Sequence, residues 1–281
     1  MRILAFSDVK RWTPSYRSLV ERWKPTIIAL AGDLTSDGGA AFWHTALEAI
    51  PAFQRDMTSL RRRLGVRVDP KEGFDIIPRR SLEAWHDARW KLEDRYHETP
   101  AFLEARKRLH VAKFYSFLRY AGKRATVLVV KGDHDDDFEG DYDATKISAV
   151  HGCREISGRT CEVRGVTFLG LGYDHSGYRR PLRQLVLEHK SQVDVVIAHT
   201  PQENVRIIAE LQPKLIIRGH FGWGRYLMDG VPTVFTAGDE AVIDTRRSKP
   251  PRVRILEDER WAMSDDRMQR HYPWLTPYPA A

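Results

Sequence analysis

Five short apolar runs in this chain end, at once or within three residues, in an aspartate or a histidine. Residues 3–6 are followed by Asp8, 26–31 by Gly32-Asp33, and 126–130 by Gly132-Asp133-His134-Asp135. Residues 193–198 run into His199, and 214–217 into Gly219-His220. Runs of four to six residues rich in Val and Ile, bounded by Gly, Pro or Asp, read as strands. Residues 166–171 and 231–235 add two more. Helical patterns at 14–23, 181–190 and 201–211 fall between them, each opening at or near a proline, which suits a first helical turn. This alternation predicts an α/β fold with helices packed on sheets. In such folds ligands gather beyond the carboxyl ends of the strands, so the five endings predict one convergent site. Taken singly, each Asp is as easily a turn or cap residue, and each His a structural group. Together, carboxylates and imidazoles suit a divalent metal of the Zn, Mn or Fe type.

The composition of the 281 residues, 42% hydrophobic and 30% charged, is that of a folded chain and not a disordered one. No apolar run approaches the roughly 18 residues of a membrane helix. The opening residues read as a strand and not as a signal peptide, and only Cys153 and Cys161 occur, eight apart around an expected hairpin. A disulfide scaffold is excluded; the two read as small core residues of a reduced, cytoplasmic protein.

Charge is unevenly spread. Residues 53–124 hold 18 Lys and Arg against 10 Asp and Glu, while the rest of the chain holds 27 against 28. The surplus predicts an anionic partner. Residues 39–122 read as a basic helical insertion within a single domain spanning 1–281. In it, 83–97 puts Trp85, Ala88 and Leu92 on one helical face, and 100–120 does so with Phe102, Ala105, Leu109, Ala112 and Phe117. Arg106, Lys107 and Arg108 are the candidate substrate contacts of this insertion, which is expected to cap the site. Residues 259–281, rich in Trp, Pro and Tyr, read as an irregular tail. Nothing in the sequence bears on oligomeric state.

The motifs and their order resemble those of the calcineurin-like metallophosphoesterases, which carry Asp-x-His, Gly-Asp, Gly-Asn-His-Asp/Glu, a lone His and Gly-His-x-His at successive strand ends. The matching stretches are Asp8-Val9-Lys10, Gly32-Asp33, Gly132-Asp133-His134-Asp135, His199 and Gly219-His220-Phe221-Gly222. The likeness covers most of the chain outside the insertion and the tail. It implies a metallophosphoesterase-type β-sandwich flanked by helices, with a metal centre at one edge that hydrolyses phosphate esters. Asp33 and Asp133 are 100 positions apart, more than in the family, and the insertion accounts for the excess.

The resemblance also implies the ligands. One family site is filled here by Asp33, Asp133 (in place of the Asn), His199 and His220. The other keeps Asp8 and Asp33 but has Lys10 and Gly222 where the family has histidines. One firmly bound ion is therefore expected instead of two, manganese first, with iron or zinc as alternatives. Lys10 would stand in for the lost cation beside Asp8, setting one divalent ion and an ammonium against three carboxylates. His134 matches the family's catalytic His and is expected to protonate the leaving group, its acidic neighbours Asp133, Asp135, Asp136 and Asp137 favouring the protonated form. His175, with Asp174, is a further candidate to face the substrate, a plain loop role being equally open. A site short of one cation suits a monoanionic phosphodiester over a dianionic monoester. The rival expectation is a catalytically inactive protein of this fold, a scaffold binding nucleic acid or anionic lipid through the basic insertion.

Overall fold

The apolar runs fold as strands of two sheets. In the computed structural model the described residues are 1–9, 12–35, 44–70, 75–97, 99–136, 140–190, 192–220, 223–236, 240–244, 252–256 and 275–277. The elements begin with β1 (Arg2–Phe6), α1 (Pro14–Trp23), β2 (Ile27–Ala31), α2 (His44–Glu48), α3 (Pro51–Leu64), β3 (Arg67–Val68) and β4 (Asp75–Ile76). Next come α4 (Leu82–His97), α5 (Pro100–Arg106), α6 (Ala112–Ala121), β5 (Thr126–Val130), α7 (Ala144–Ala149), β6 (Cys153–Glu155), β7 (Thr160–Val163) and β8 (Val166–Leu171). The chain continues with α8 (Tyr173–Ser176), α9 (Arg179–His189), β9 (Val195–His199), α10 (Val205–Ala209), β10 (Leu215–Gly219) and β11 (Trp223–Met228). The last elements are β12 (Val231–Thr236), β13 (Glu240–Asp244), β14 (Arg252–Leu256) and β15 (Leu275–Pro277).

Two units divide the chain: Met1–Gly38 together with His110–Ala281, and Gly39–Leu109. The larger holds a six-stranded sheet in the order β14-β13-β1-β2-β5-β6 and a seven-stranded sheet in the order β15-β11-β12-β10-β9-β8-β7. Strands β1, β2, β5 and β6 run parallel, as do β8, β9, β10 and β12. Alternation along each strand builds three layers of core. Ile3, Ala5, Ile27, Ala29, Leu128 and Val130 meet Phe168, Val195, Ile197 and Ile217 between the sheets. The opposite faces take helices. Leu4, Phe6, Ile28, Leu30, Val127 and Val129 pack against α1, α6 and α7, while Leu169, Leu171, Val196 and Ile216 pack against α9 and α10. Central strands buried on both faces need continuous apolar runs, which is why β2 is apolar throughout and fully buried.

This is the two-sheet sandwich flanked by helices that the sequence predicts, with several departures. Cys153 and Cys161 do not flank a hairpin: β6 pairs with β5 in one sheet and β7 with β8 in the other. The expected tail contributes an edge strand, Leu275–Pro277, beside β11. Helix α6, grouped by its charge with the insertion, packs Phe114, Phe117, Leu118 and Ala121 into the core of the larger unit.

Among its described residues, the unit Gly39–Leu109 has helices and, as strands, only the two-residue pairing of β3 with β4. Helix α3 packs on α4, and Phe53, Met57, Leu60, Trp85, Leu92 and Phe102 are buried. The expected long helix from Pro100 is interrupted by a π-turn over Lys107–Val111, which shifts the register of everything after it. Arg106 is buried, at 2% exposure, while Lys107 and Arg108 are exposed. The solvent-facing trio expected at 106–108 is thus a pair. Arg106 lies four residues after buried Phe102 and so on the same helical face.

Candidate metal centre

Parallel pairing brings the strand ends level. Phe6 of β1 lies beside Leu30 of β2, Ala31 beside Val130 of β5, and His199 of β9 beside Gly219 of β10. The residues just past those ends therefore meet where the two sheets abut. Asp8 N–H donates to the Gly32 carbonyl and Val9 N–H to the Asp33 carbonyl, each at 3.0 Å, tying the first two loops together. His199 bridges the sheets: its Nδ1 lies 2.7 Å from the Ala31 carbonyl oxygen and donates its proton there. That bond fixes the tautomer and leaves Nε2 facing the cluster.

Nε2 of His199 lies 2.7 Å from Oδ1 of Asp133 and 3.5 Å from Oδ2 of Asp33. Nδ1 of His220 lies 3.1 Å from the same Asp133 oxygen and 3.3 Å from Nε2 of His199. Asp8 joins from the other side, accepting the His220 N–H at 3.1 Å. Three overlapping sets of potential ligand atoms result: Asp133 with His199 and His220, Asp8 with Asp33 and His199, and Asp33 with Asp133 and His134.

The local backbone is strained to achieve this. Asp8, Asp33 and His220 have φ of 50°, 54° and 87°, the left-handed region that L-residues seldom adopt. Such conformations cost about 1–3 kcal/mol each and persist where surrounding structure enforces them. Part of that enforcement comes from Asp135, which is 1% exposed. Its carboxylate accepts from the backbone of Gly132, Asp33, Leu34 and Thr35 and from the Thr35 hydroxyl, all at 2.7–3.0 Å. Gly132 must be glycine, since a Cβ there would fall 2.0 Å from Oδ1 of Asp33.

The electrostatics call for positive charge. Burial pushes Asp33 up to about 8 and raises Asp8, although His199 pulls both down. Burial works against ionised Asp133 too, yet hydrogen bonds from His199 and His220 outweigh it and hold that carboxyl well below the usual range. Burial disfavours the His199 imidazolium, but Asp33, Asp133 and Asp8 overcome this and raise it to about 9. A divalent cation with mixed nitrogen and oxygen donors answers the same demand, so the residues present fit such an ion.

Against that geometry, comparison with known proteins gives the fold. No protein-family model and no curated protein matches the chain. A solved crystal structure 15% identical in sequence aligns with 91% of this chain and 99% of its own, at a TM-score of 0.52. The fold is shared. The crystal structure of TT1561 of Thermus thermophilus is 12% identical, with coverage of 91% and 99% and a TM-score of 0.47.

Of the sequence candidates, Asp8, Asp33, Asp133, His134, His199 and His220 lie together. His134 sits at the rim, about a third exposed, its N–H donated to Asp33 at 3.1 Å and its Nε2 3.7 Å from Asp133. Lys10 and Gly222 lie outside the described residues. His175 is not in the cluster; its ring lies against Gly158, where a Cβ would come within 2.4 Å of Nε2. Asp174 instead pairs with Lys131 at 2.9 Å. Sequence reasoning missed Tyr173, whose ring centroid is 5.5 Å from His220 and 6.3 Å from His199. It also gave Asp135 only a charge effect on His134 and not its hydrogen bonds to the loop backbone, though the Gly-Asp-His-Asp run was the signal.

Proposed function

We infer that this protein is a metal-dependent phosphoesterase that hydrolyses phosphodiesters in preference to monoesters. The observation that carries the reading is the meeting of Asp133, His199 and His220, with Asp33 and Asp8, at the strand ends of two sheets. Asp33, Asp133, His199 and His220 would hold one divalent ion, manganese first and iron or zinc next, which when bound supplies Lewis acidity toward a phosphoryl oxygen and acidifies water. The protein groups do the rest. His199, locked by Ala31, and His220, held by its backbone bond to Asp8, keep their ligand nitrogens aimed inward. Hydrolysis forms one P–O bond from water and breaks one ester P–O bond, and the departing alkoxide takes a proton. His134 donates that proton from the rim and recovers one from the attacking water. The diester preference rests on charge: three carboxylates repel a dianionic monoester more than a monoanionic diester. Lys10, two positions after Asp8 in the sequence, supplies the compensating cation in this reading.

The test begins with protein stripped of metal, reloaded with Mn²⁺ and desalted. Elemental analysis should find close to one ion per chain, and bis(4-nitrophenyl) phosphate should turn over faster than 4-nitrophenyl phosphate. Two firmly held ions would mean that further residues complete the first site. Bound metal with no turnover of any ester would replace this reading with a catalytically inactive binding protein of the same fold.

A further inference from the structure

The stretch from Tyr173 to Arg183 leads outward from the metal cluster, and the reaction chemistry above leaves it unused. Its inner end is anchored to a ligand. Ser176, fully buried, donates its hydroxyl to the His199 carbonyl at 2.7 Å, and Asn204 Nδ2 donates to the carbonyls of Ser176 and Gly177 at 2.8 and 3.2 Å. The Tyr173 ring, beside His220 and His199, continues to the Tyr178 ring at 6.4 Å and an interplanar angle of 64°. Tyr178 is 64% exposed, so its ring is open to a partner. Directly after it come Arg179, Arg180 and Arg183, all exposed, none with an ion pair or hydrogen bond among the described residues. The one acid of the inner stretch, Asp174, is occupied by Lys131 at 2.9 Å.

Exposed rings beside unpaired guanidiniums are what single-stranded nucleic acid requires: a flat apolar face for each base and cations for the phosphates between them. We propose that Tyr178, backed by Tyr173, stacks a nucleobase while Arg179, Arg180 and Arg183 hold flanking phosphates, so that the diester reaching the metal cluster is an internucleotide one. This names the substrate class of the site and rests on the phosphodiesterase reading. It moves the nucleic-acid contact from the basic insertion to the unit that carries the metal ligands. The anchoring through Ser176 and Asn204 keeps the ring series at a fixed distance from His199, so little order need be gained on binding.

Metal-free protein allows binding to be read without turnover. Fluorescence titration should show hexathymidylate binding more tightly than an abasic hexamer of equal charge. Tyr178→Ala should weaken the hexathymidylate about tenfold, the scale of one lost base–aromatic stack, and leave the abasic strand unchanged. Tyr178→Phe should restore binding, because the ring and not the hydroxyl is used. Replacing Arg179 and Arg180 by Ala should weaken both strands and flatten their salt dependence. Equal affinity for the two strands in wild type, or a Tyr178→Ala variant that binds both as wild type does, would overturn the proposal. The two readings fail separately. Turnover of bis(4-nitrophenyl) phosphate without base discrimination removes the nucleic-acid inference alone. Base discrimination without turnover removes the hydrolytic reading and with it the strand's role as substrate, leaving the stacking surface itself.

Discussion

In the unit Gly39–Leu109 charged side chains pair with one another at several places. Arg61 meets Asp75 at 2.8 Å, Arg89 meets Glu93 at 2.7 Å, Lys91 meets Asp87 at 2.8 Å, and Arg95 lies 3.7 Å from Asp56. In the strand-bearing unit, Asp33 and His199 are buried at 3% and 0% exposure, and Asp8 and Asp33 share their surroundings with Asp133 and no paired Lys or Arg among the described residues. Exposed pairs such as Lys91 with Asp87 and Arg95 with Asp56 contribute about 0–1 kcal/mol each, whereas burying carboxylates together opposes folding. A cluster that persists against that cost is where function is to be sought. Counting charges alone points elsewhere. The unit Gly39–Leu109 holds 14 basic and 11 acidic residues, a modest excess, while Lys113, Arg119, Lys123 and Arg124 of the basic stretch belong to the larger unit.

The sharpest way to break this contrast is to neutralise one buried carboxylate. Asp33→Asn should abolish metal retention and lower turnover at least ~10³-fold, as loss of a ligand and of ion-dependent chemistry requires. The same change should stabilise the metal-free fold at alkaline pH. Asp33 is raised to about 8 from an ordinary 3.8, so the folded state holds a proton that the unfolded state has lost, and stability falls as pH rises from about 4 to 8. His199 is raised to about 9 from 6.5; the stability it lends is full below 6.5 and lost as pH passes 9. Metal-free wild type should therefore melt at progressively lower temperature from pH 4 to 9, and added Mn²⁺ should raise the melting temperature more at pH 8 than at pH 6. In Asp33→Asn the fall between pH 4 and 8 should flatten and the Mn²⁺ effect vanish. A metal-free wild-type melting temperature that climbs over this range would mean the carboxylates are not buried as described.

A second substitution separates holding the ion from moving protons. His134→Asn should leave metal content unchanged while reducing hydrolysis of a diester with a poor alkoxide leaving group by roughly 10²–10⁴. With a nitrophenolate leaving group, which departs without protonation, the loss should be much smaller. Equal losses with both substrates would remove His134 from the acid role.

What could be read from the sequence follows from how each element is buried. The parallel strands β2, β5 and β9 lie inside on both faces and must be apolar throughout, so they stand out as runs of Val, Ile, Leu and Ala. Their endings carry Asp33, Asp133 and His199, and the cluster was legible for the same reason. Strands β13 and β14 pair antiparallel at one edge of a sheet, and the second reads Arg-Val-Arg-Ile-Leu, too mixed to stand out. Cys153 and Cys161 suggested a hairpin by proximity, but the chain changes sheets between them, and nothing local records that. Tyr173 is silent for a similar reason: its closeness to His220 depends on two loops from different strands meeting in space. The π-turn at Lys107–Val111 leaves no mark in a pattern read at 3.6 residues per turn.

The π-turn decides the smallest effect. Reversing Arg106, Lys107 and Arg108 together would confuse two environments, because only the last two reach solvent. Lys107→Glu with Arg108→Glu should change stability by no more than about 0.5 kcal/mol, as surface substitutions usually do, and leave metal content alone. If the exposed charge of the insertion helps to attract an anionic substrate, KM at low salt should rise roughly two- to fivefold and the difference should vanish near 0.5 M salt, where the screening length is a few ångströms. Arg106→Glu differs in kind. It puts a carboxylate where a buried guanidinium sits, and removing one partner of a buried charge costs about 3–5 kcal/mol. That variant should lose protection from proteolysis within Gly39–Leu109 while Mn²⁺ binding by the strand-bearing unit survives. Should the Lys107 and Arg108 reversal leave KM at its wild-type value even at low salt, the insertion's exposed charge is only a solvated face. Capture of the anion would then fall to cations of the unit that carries the metal ligands, and the contrast between the two regions would be sharper still.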